Sequence, residues 1–158
     1  MIAQLSGRLV SADLTYLIID VQGVGYLVHA TGRTLAQIGQ PGDIVTLITE
    51  LMVKEDSLTL YGFMDTAEQA AFRMLQTVQG VGAKAALSIL TTLPADELSQ
   101  AILAGDKAMV SRAEGIGPKL AQRIINELAQ KLPASLITAS APFVPATTSG
   151  VEGIAVDT

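Results

Sequence analysis

Two lysines close near-identical glycine-rich stretches. Lys84 ends Gly80-Val81-Gly82-Ala83-Lys84, and Lys119 ends Gly115-Ile116-Gly117-Pro118-Lys119, at an offset of 35 residues. The chemistry that this pattern suits is anion binding. Two glycines let the chain reverse tightly and adopt positive φ, and they remove side chains that would hold a ligand off the backbone. The aliphatic residue between them, Val81 or Ile116, suits a plug between two helices. If a helix starts at the second glycine, its first N–H groups lack internal partners and its dipole favours negative charge there. A lysine in the first turn adds a point charge. Arg123, four residues beyond Lys119, falls on the same helix face. The candidate phosphate-binding set is therefore Gly80, Val81, Gly82, Ala83 and Lys84 with Gly115, Ile116, Gly117, Lys119 and Arg123. Pro118 has no N–H, which puts one donor of the second stretch in doubt.

Three readings compete for the repeat. The plainest is a pair of glycine turns between packed helices with solvated lysines. Lysine at the same place in both copies argues against it. The second is a dinucleotide fingerprint, because GVGAKA satisfies G-x-G-x-x-A. That fingerprint must follow a strand, whereas Ala70-Ala71-Phe72-Arg73-Met74-Leu75 reads as helix. The third is a duplicated helix-hairpin-helix, a phosphate-binding DNA module. Phosphate contacts carry little sequence information, so such a pair would bind in a salt-dependent way and select DNA by its shape.

The elements that must position these residues follow from periodicity. Residues 64–133 read as helices: a capped start at Asp65-Thr66-Ala67-Glu68, then Lys84 to about Thr92, Pro94–Ala104, Asp106–Ala113 and Pro118–Leu132. Residues 1–63 read as strands, with β-branched segments at Leu14–Asp20, Tyr26–Ala30, Asp43–Thr49 and Ser57–Tyr61. Five short strands in that length fit a small barrel, OB-like in the first instance. The pentapeptide VQGVG at Val78–Gly82 also occurs at Val21–Gly25, between strands, where it reads as a turn or bulge. The fold class expected is thus all-β plus all-α in two domains, 1–63 and 64–133. Residues 134–158, rich in Ala, Ser, Thr and Pro, read as a flexible linker.

Composition narrows the function. The chain has 158 residues and a net charge of −5. Its distribution says more than the sum: Arg8, Arg33 and Lys54 face six acidic residues in 1–63, while 64–133 holds seven of each sign. There is no cysteine, which removes disulfides and thiolate metal sites. No signal-peptide layout and no run of roughly 18 apolar residues is present, so a cytoplasmic protein with no membrane partner is expected. There is no Walker A loop, no carboxylate cluster for a metal nuclease, and no acid or lysine set as in a hairpin-bearing glycosylase. No cofactor is expected, and catalysis is assigned to partners. The acidic barrel segment, with few aromatics, is a poor single-strand reader. Its lone histidine, His29, has two readings: a satisfied strand residue, or a phosphate or sugar contact. The adjacent acids Glu55 and Asp56 sit at a turn, either as a solvated tip or as a repulsive pin near phosphates.

The combination MIAQLSGRL, GVGYLVH, MVKEDSLTLYGF, GVGAK and GIGPK over residues 1 to about 133 resembles the RuvA family of bacterial Holliday-junction recognition proteins. That resemblance implies a homotetramer, one or two per junction, holding a four-way junction open and flat, with paired hairpins on each arm. It implies a partner ATPase, RuvB, that drives branch migration, and a resolvase, RuvC, in recombination and repair. It also maps an acidic pin onto Glu55 and Asp56. The family continues past a linker into a third, RuvB-docking domain. The chain ends at Thr158 within what reads as the linker, so a fragment or a missing motor-binding part is expected. The alternative from the residues alone is a generic, sequence-independent duplex-binding module of a repair enzyme.

Overall fold

The computed structural model describes residues 1–131. The linker expected at 134–158 lies outside the described residues.

Alternation builds the first half. In β2 (Tyr16–Val21), Leu17 and Ile19 are fully buried while their neighbours are half-exposed, the period of two that a strand with one covered face requires. Leu5 and Leu9 of β1 (Gln4–Ala12) and Val45 and Leu47 of β4 (Ile44–Lys54) bury in the same rhythm. With β3 (Val24–His29) and β5 (Ser57–Phe63) these strands close a barrel in the order β1-β2-β3-β5-β4. The neighbours are antiparallel except β3 and β5, which close the barrel in parallel with Val28 beside Leu60 and His29 beside Tyr61. The expected OB-like five-stranded barrel is the observed one.

The first VQGVG copy lies at the β2–β3 hairpin. Val21 pairs with Val24, and Gln22 and Gly23 form the two-residue turn, both at positive φ, as a hairpin turn that matches strand twist demands.

Two elements depart from the sequence reading. β1 was not delimited there: its pairing with β2 is interrupted by an irregularity between Leu9 and Ser11, and Val10 faces outward. A short helix, α1 (Gly32–Gln37), interrupts the barrel segment. Thr31 caps it by accepting from the Thr34 N–H.

The second half is helical: α2 (Thr66–Gln76), α3 (Ala83–Thr92), α4 (Ala95–Ala104), α5 (Lys107–Val110) and α6 (Pro118–Ala129). Asp65 and Asp106 cap α2 and α5 through their side chains, as expected of them. α4 begins at Ala95 with Pro94 as its N-cap, one residue later than the expected Pro94–Ala104. α5 is shorter than expected because the chain from Ser111 tightens into turns, with Ala113 N–H on the Val110 carbonyl and Ile116 N–H on that of Ala113. α6 ends at Ala129, short of Leu132.

Two apolar cores result, one inside the barrel and one among the helices. Phe63, the last residue of β5, belongs to the helical core and packs on Phe72 with ring centroids 4.9 Å apart. Barrel and helices are further tied by polar contacts. Both hydroxyls of Thr31 and Thr34 donate to the Glu68 carboxylate, at 3.0 and 3.1 Å. Arg73 pairs with Glu50 at 2.8 Å, and Gln69 donates to the same carboxylate. The hairpins are thereby held at a fixed attitude to the barrel.

Candidate nucleic-acid interface

Each glycine stretch lies between two helices, the first from α2 to α3 and the second from α5 to α6. Their backbones match residue by residue. Gly80 and Gly115 take positive φ, 94° and 82°. Val81 and Ile116 are each 5% exposed and plug the helical core. Their N–H groups close equivalent turns, on the Val78 carbonyl at 3.0 Å and the Ala113 carbonyl at 3.2 Å. Gly82 and Gly117 are the N-caps of α3 and α6, both extended and without a side-chain cap bond. Their carbonyls accept the first helical N–H, from Ala86 and from Ala121.

The glycines therefore divide their work, which the sequence did not separate. Only the first of each pair uses the left-handed conformation. The second contributes open space: a Cβ built on Gly82 or Gly117 meets nothing within 4 Å. In front of that space the N–H groups of Gly82, Ala83, Lys84 and Ala85 find no acceptor among the described residues. The same holds for Gly117, Lys119 and Leu120. Pro118 is the first residue of α6, where its missing N–H removes one of these donors and its fixed φ suits the helix. Lys84, Lys119 and Arg123 are exposed, and none has a carboxylate within ion-pair distance among the described residues.

The two corners lie side by side. A Cβ on Gly80 would stand 3.4 Å from Cδ1 of Leu120, in the first turn of α6. Arg123 donates through Nη1 to the Gln79 carbonyl at 3.4 Å, and Lys131 donates to Thr77 Oγ1 at 3.1 Å. Arg123 so braces one hairpin against the other; its guanidinium has five donors, which leaves others for a ligand. Ser88 of α3 donates to the Glu114 carbonyl at 2.7 Å, tying the first hairpin to the approach of the second. Sequence reasoning missed the parts of the Gln79 carbonyl, Ser88 and Lys131, because neither a backbone acceptor in a turn nor a single polar side chain carries a pattern that announces a tertiary partner.

Glu55 and Asp56 form the two-residue turn of the β4–β5 hairpin, between the paired Lys54 and Ser57. Both are exposed. No hydrogen bond or ion pair joins them to the glycine corners among the described residues. His29 sits between Tyr16 and Tyr61, with ring centroids 6.4 and 5.8 Å away. Among the described residues there is no group of acids and histidines arranged to hold a metal ion. No helix of the described residues is long and apolar enough to cross a membrane.

Fold and site together define a barrel joined to a tandem helix-hairpin-helix unit with two adjacent glycine corners. Comparison with known proteins agrees. The family model described as RuvA N terminal domain matches residues 1–62, and that described as SAM-like Helix-hairpin-helix tandem matches residues 72–130. The chain is 50% identical over 155 residues to the Holliday junction branch migration complex subunit RuvA of Rhodospirillum centenum, covering 98% of this chain and 73% of that protein. It is 51% identical over 134 residues to the protein of the same description from Rhodopseudomonas palustris (strain TIE-1), covering 85% of this chain and 65% of that protein. The chain belongs to the RuvA family. It spans about two thirds to three quarters of the length of these relatives.

Proposed function

We propose that the chain binds four-way (Holliday) junction DNA by its shape and serves as the non-catalytic subunit of a branch-migration complex in recombination and repair. Residues 64–133 are the DNA-binding part. Gly80–Lys84 and Gly115–Lys119 with Arg123 grip the sugar-phosphate rails of one duplex arm. Residues 1–63 serve assembly of a homotetramer, in which four arms meet and the acidic pairs Glu55 and Asp56 surround the centre as pins. Motor work falls to a RuvB-type ATPase and cleavage to a RuvC-type resolvase.

One observation carries this reading. Two backbone corners of the same conformation present unpaired N–H groups behind side-chain-free glycines, four at the first and three at the second, where Pro118 has none, with a lysine in each first turn. Such donors suit phosphate and are indifferent to base identity. A duplicated phosphate grip suits the two strands of one duplex.

The test is a gel shift of the chain on a four-way junction and on linear duplex of matched length, with solution mass measured in parallel. A strong junction preference and a four-subunit species are expected. Lys84→Gln with Lys119→Gln should abolish most of the junction affinity and reduce the salt slope by about two for each bound subunit. Equal binding to both DNAs would instead favour a generic duplex module, and intact binding by the lysine variant would sink the reading.

A further inference from the structure

The barrel and α3 face each other across a groove of about 940 Å³, which of the proposed hairpin grip only Lys84 reaches. Lys84 lines it, and so does Leu87 one turn further along the same face of α3. The barrel contributes His29 and Leu14. Arg112 and Glu114, from the segment that leads into the second hairpin, line it as well.

Three features specify what fits there. The first is continuity: Lys84 belongs both to the first anion corner and to this groove, so an extended anion held at the corner runs on into it. The second is charge. Lys84 and Arg112 stand against the single carboxylate of Glu114, and Arg112 is exposed with no side-chain partner among the described residues. The third is His29. Its ring is clamped between Tyr16 and Tyr61, yet its nitrogens make no hydrogen bond and are not among buried unpaired atoms in the described residues. The clamp fixes the ring, and His29 lines the groove. Leu14, 86% exposed, and Leu87 supply apolar surface between these polar groups. A lining of separated cations, a hydrogen-bonding ring and aliphatic patches matches a strand's alternation of phosphate and deoxyribose.

We propose that this groove is a second nucleic-acid contact: the strand gripped by the first hairpin continues through it, with Arg112 on a phosphate, His29 hydrogen-bonded to the sugar-phosphate and Leu14 against deoxyribose. The barrel then touches DNA directly, in addition to its part in assembly. The proposal rests on the DNA-binding function above.

The experiment is hydroxyl-radical footprinting of the full chain on a four-way junction, with salt titrations. The variants are Arg112→Gln, His29→Phe, which keeps the aromatic clamp, and their combination. Lys84→Gln with Lys119→Gln is run beside them. Protection is expected to extend beyond the hairpin footprint on one strand of each arm. The double variant should lose only that extension, and Arg112→Gln should lower the salt slope by about one for each bound subunit. An unchanged footprint and slope in Arg112→Gln, an exposed site that does not threaten folding, would overturn the groove contact while leaving the hairpin reading intact. Retained binding by the lysine variant would remove both.

Discussion

At Gly82 and Gly117 the backbone is extended, and a side chain would meet no neighbour. Nothing in the folded chain itself therefore requires glycine there, in contrast to Gly80 and Gly115 with their positive φ. The vacancy has to serve something outside the chain. Serine is a better N-cap than glycine, since its hydroxyl accepts from the N–H two or three residues on. Gly82→Ser with Gly117→Ser is expected to leave the melting temperature unchanged or slightly raised. If these amides hold phosphate as proposed, the same hydroxyls would occupy its donors and stand in its path. Junction affinity should fall about tenfold or more, which is 1.4 kcal/mol. Thermal unfolding and a binding titration on the same preparation check both halves. A variant that is stable and binds normally would show that these amides do not meet DNA. Gly80→Ala and Gly115→Ala should behave the other way, losing about 1–2 kcal/mol of stability each through left-handed strain. At this scale the sequence was informative: spacing alone identified both corners, but not which glycine is conformational and which is spatial.

Among the elements, α1 and α2 form a joint that no periodicity revealed. α1 is six residues long, too short to register as a helical pattern. Glu68 reads in the sequence as a first-turn acid that favours the α2 dipole, and it does occupy that turn. It is also buried, and its two carboxylate oxygens take the hydroxyls of Thr31 and Thr34. That role depends on residues over thirty positions away, which local reading has no means of pairing. Burial pushes the Glu68 carboxyl above its usual value; the Thr31 and Thr34 hydroxyls oppose this, and the charge of Asp65 adds to it. The sign of the pH effect follows. A carboxyl whose folded pKa is raised contributes stability that is fully present below the unfolded value, about 4.3, and is lost as pH rises through the folded one. Relative to Glu68→Gln, the native chain should gain stability on acidification from neutral pH, with the gain levelling off below the unfolded value. Urea unfolding of both proteins across that range measures the difference. A flat difference would mean that Glu68 is solvated as an ordinary surface acid.

Over the whole molecule, charge and rigidity set how the corners can be used. A run of ring contacts links Tyr16, His29, Tyr61, Phe72 and Phe63, and so braces the barrel against α2. The barrel half is acidic and the helical half balanced, a division legible by counting. The closure of the barrel through β3 and β5 was not legible, because a parallel contact of two residue pairs leaves no local signature. The exposed carboxylates of Glu55 and Asp56 project at the most acidic turn of that half, and four copies around an axis would add their fields. Phosphates approaching such a ring are repelled unless the DNA opens around it, as four arms do and a continuous duplex does not. Glu55→Gln with Asp56→Asn should therefore raise duplex affinity more than junction affinity. The two affinities should converge most at low ionic strength, where the Debye length reaches about 30 Å at 0.01 M and screening is weakest. Gel shifts of both DNAs with the native chain and the variant at two salt concentrations measure the convergence, and a variant whose junction preference equals the native one at both would show that shape alone, without repulsion, excludes the duplex.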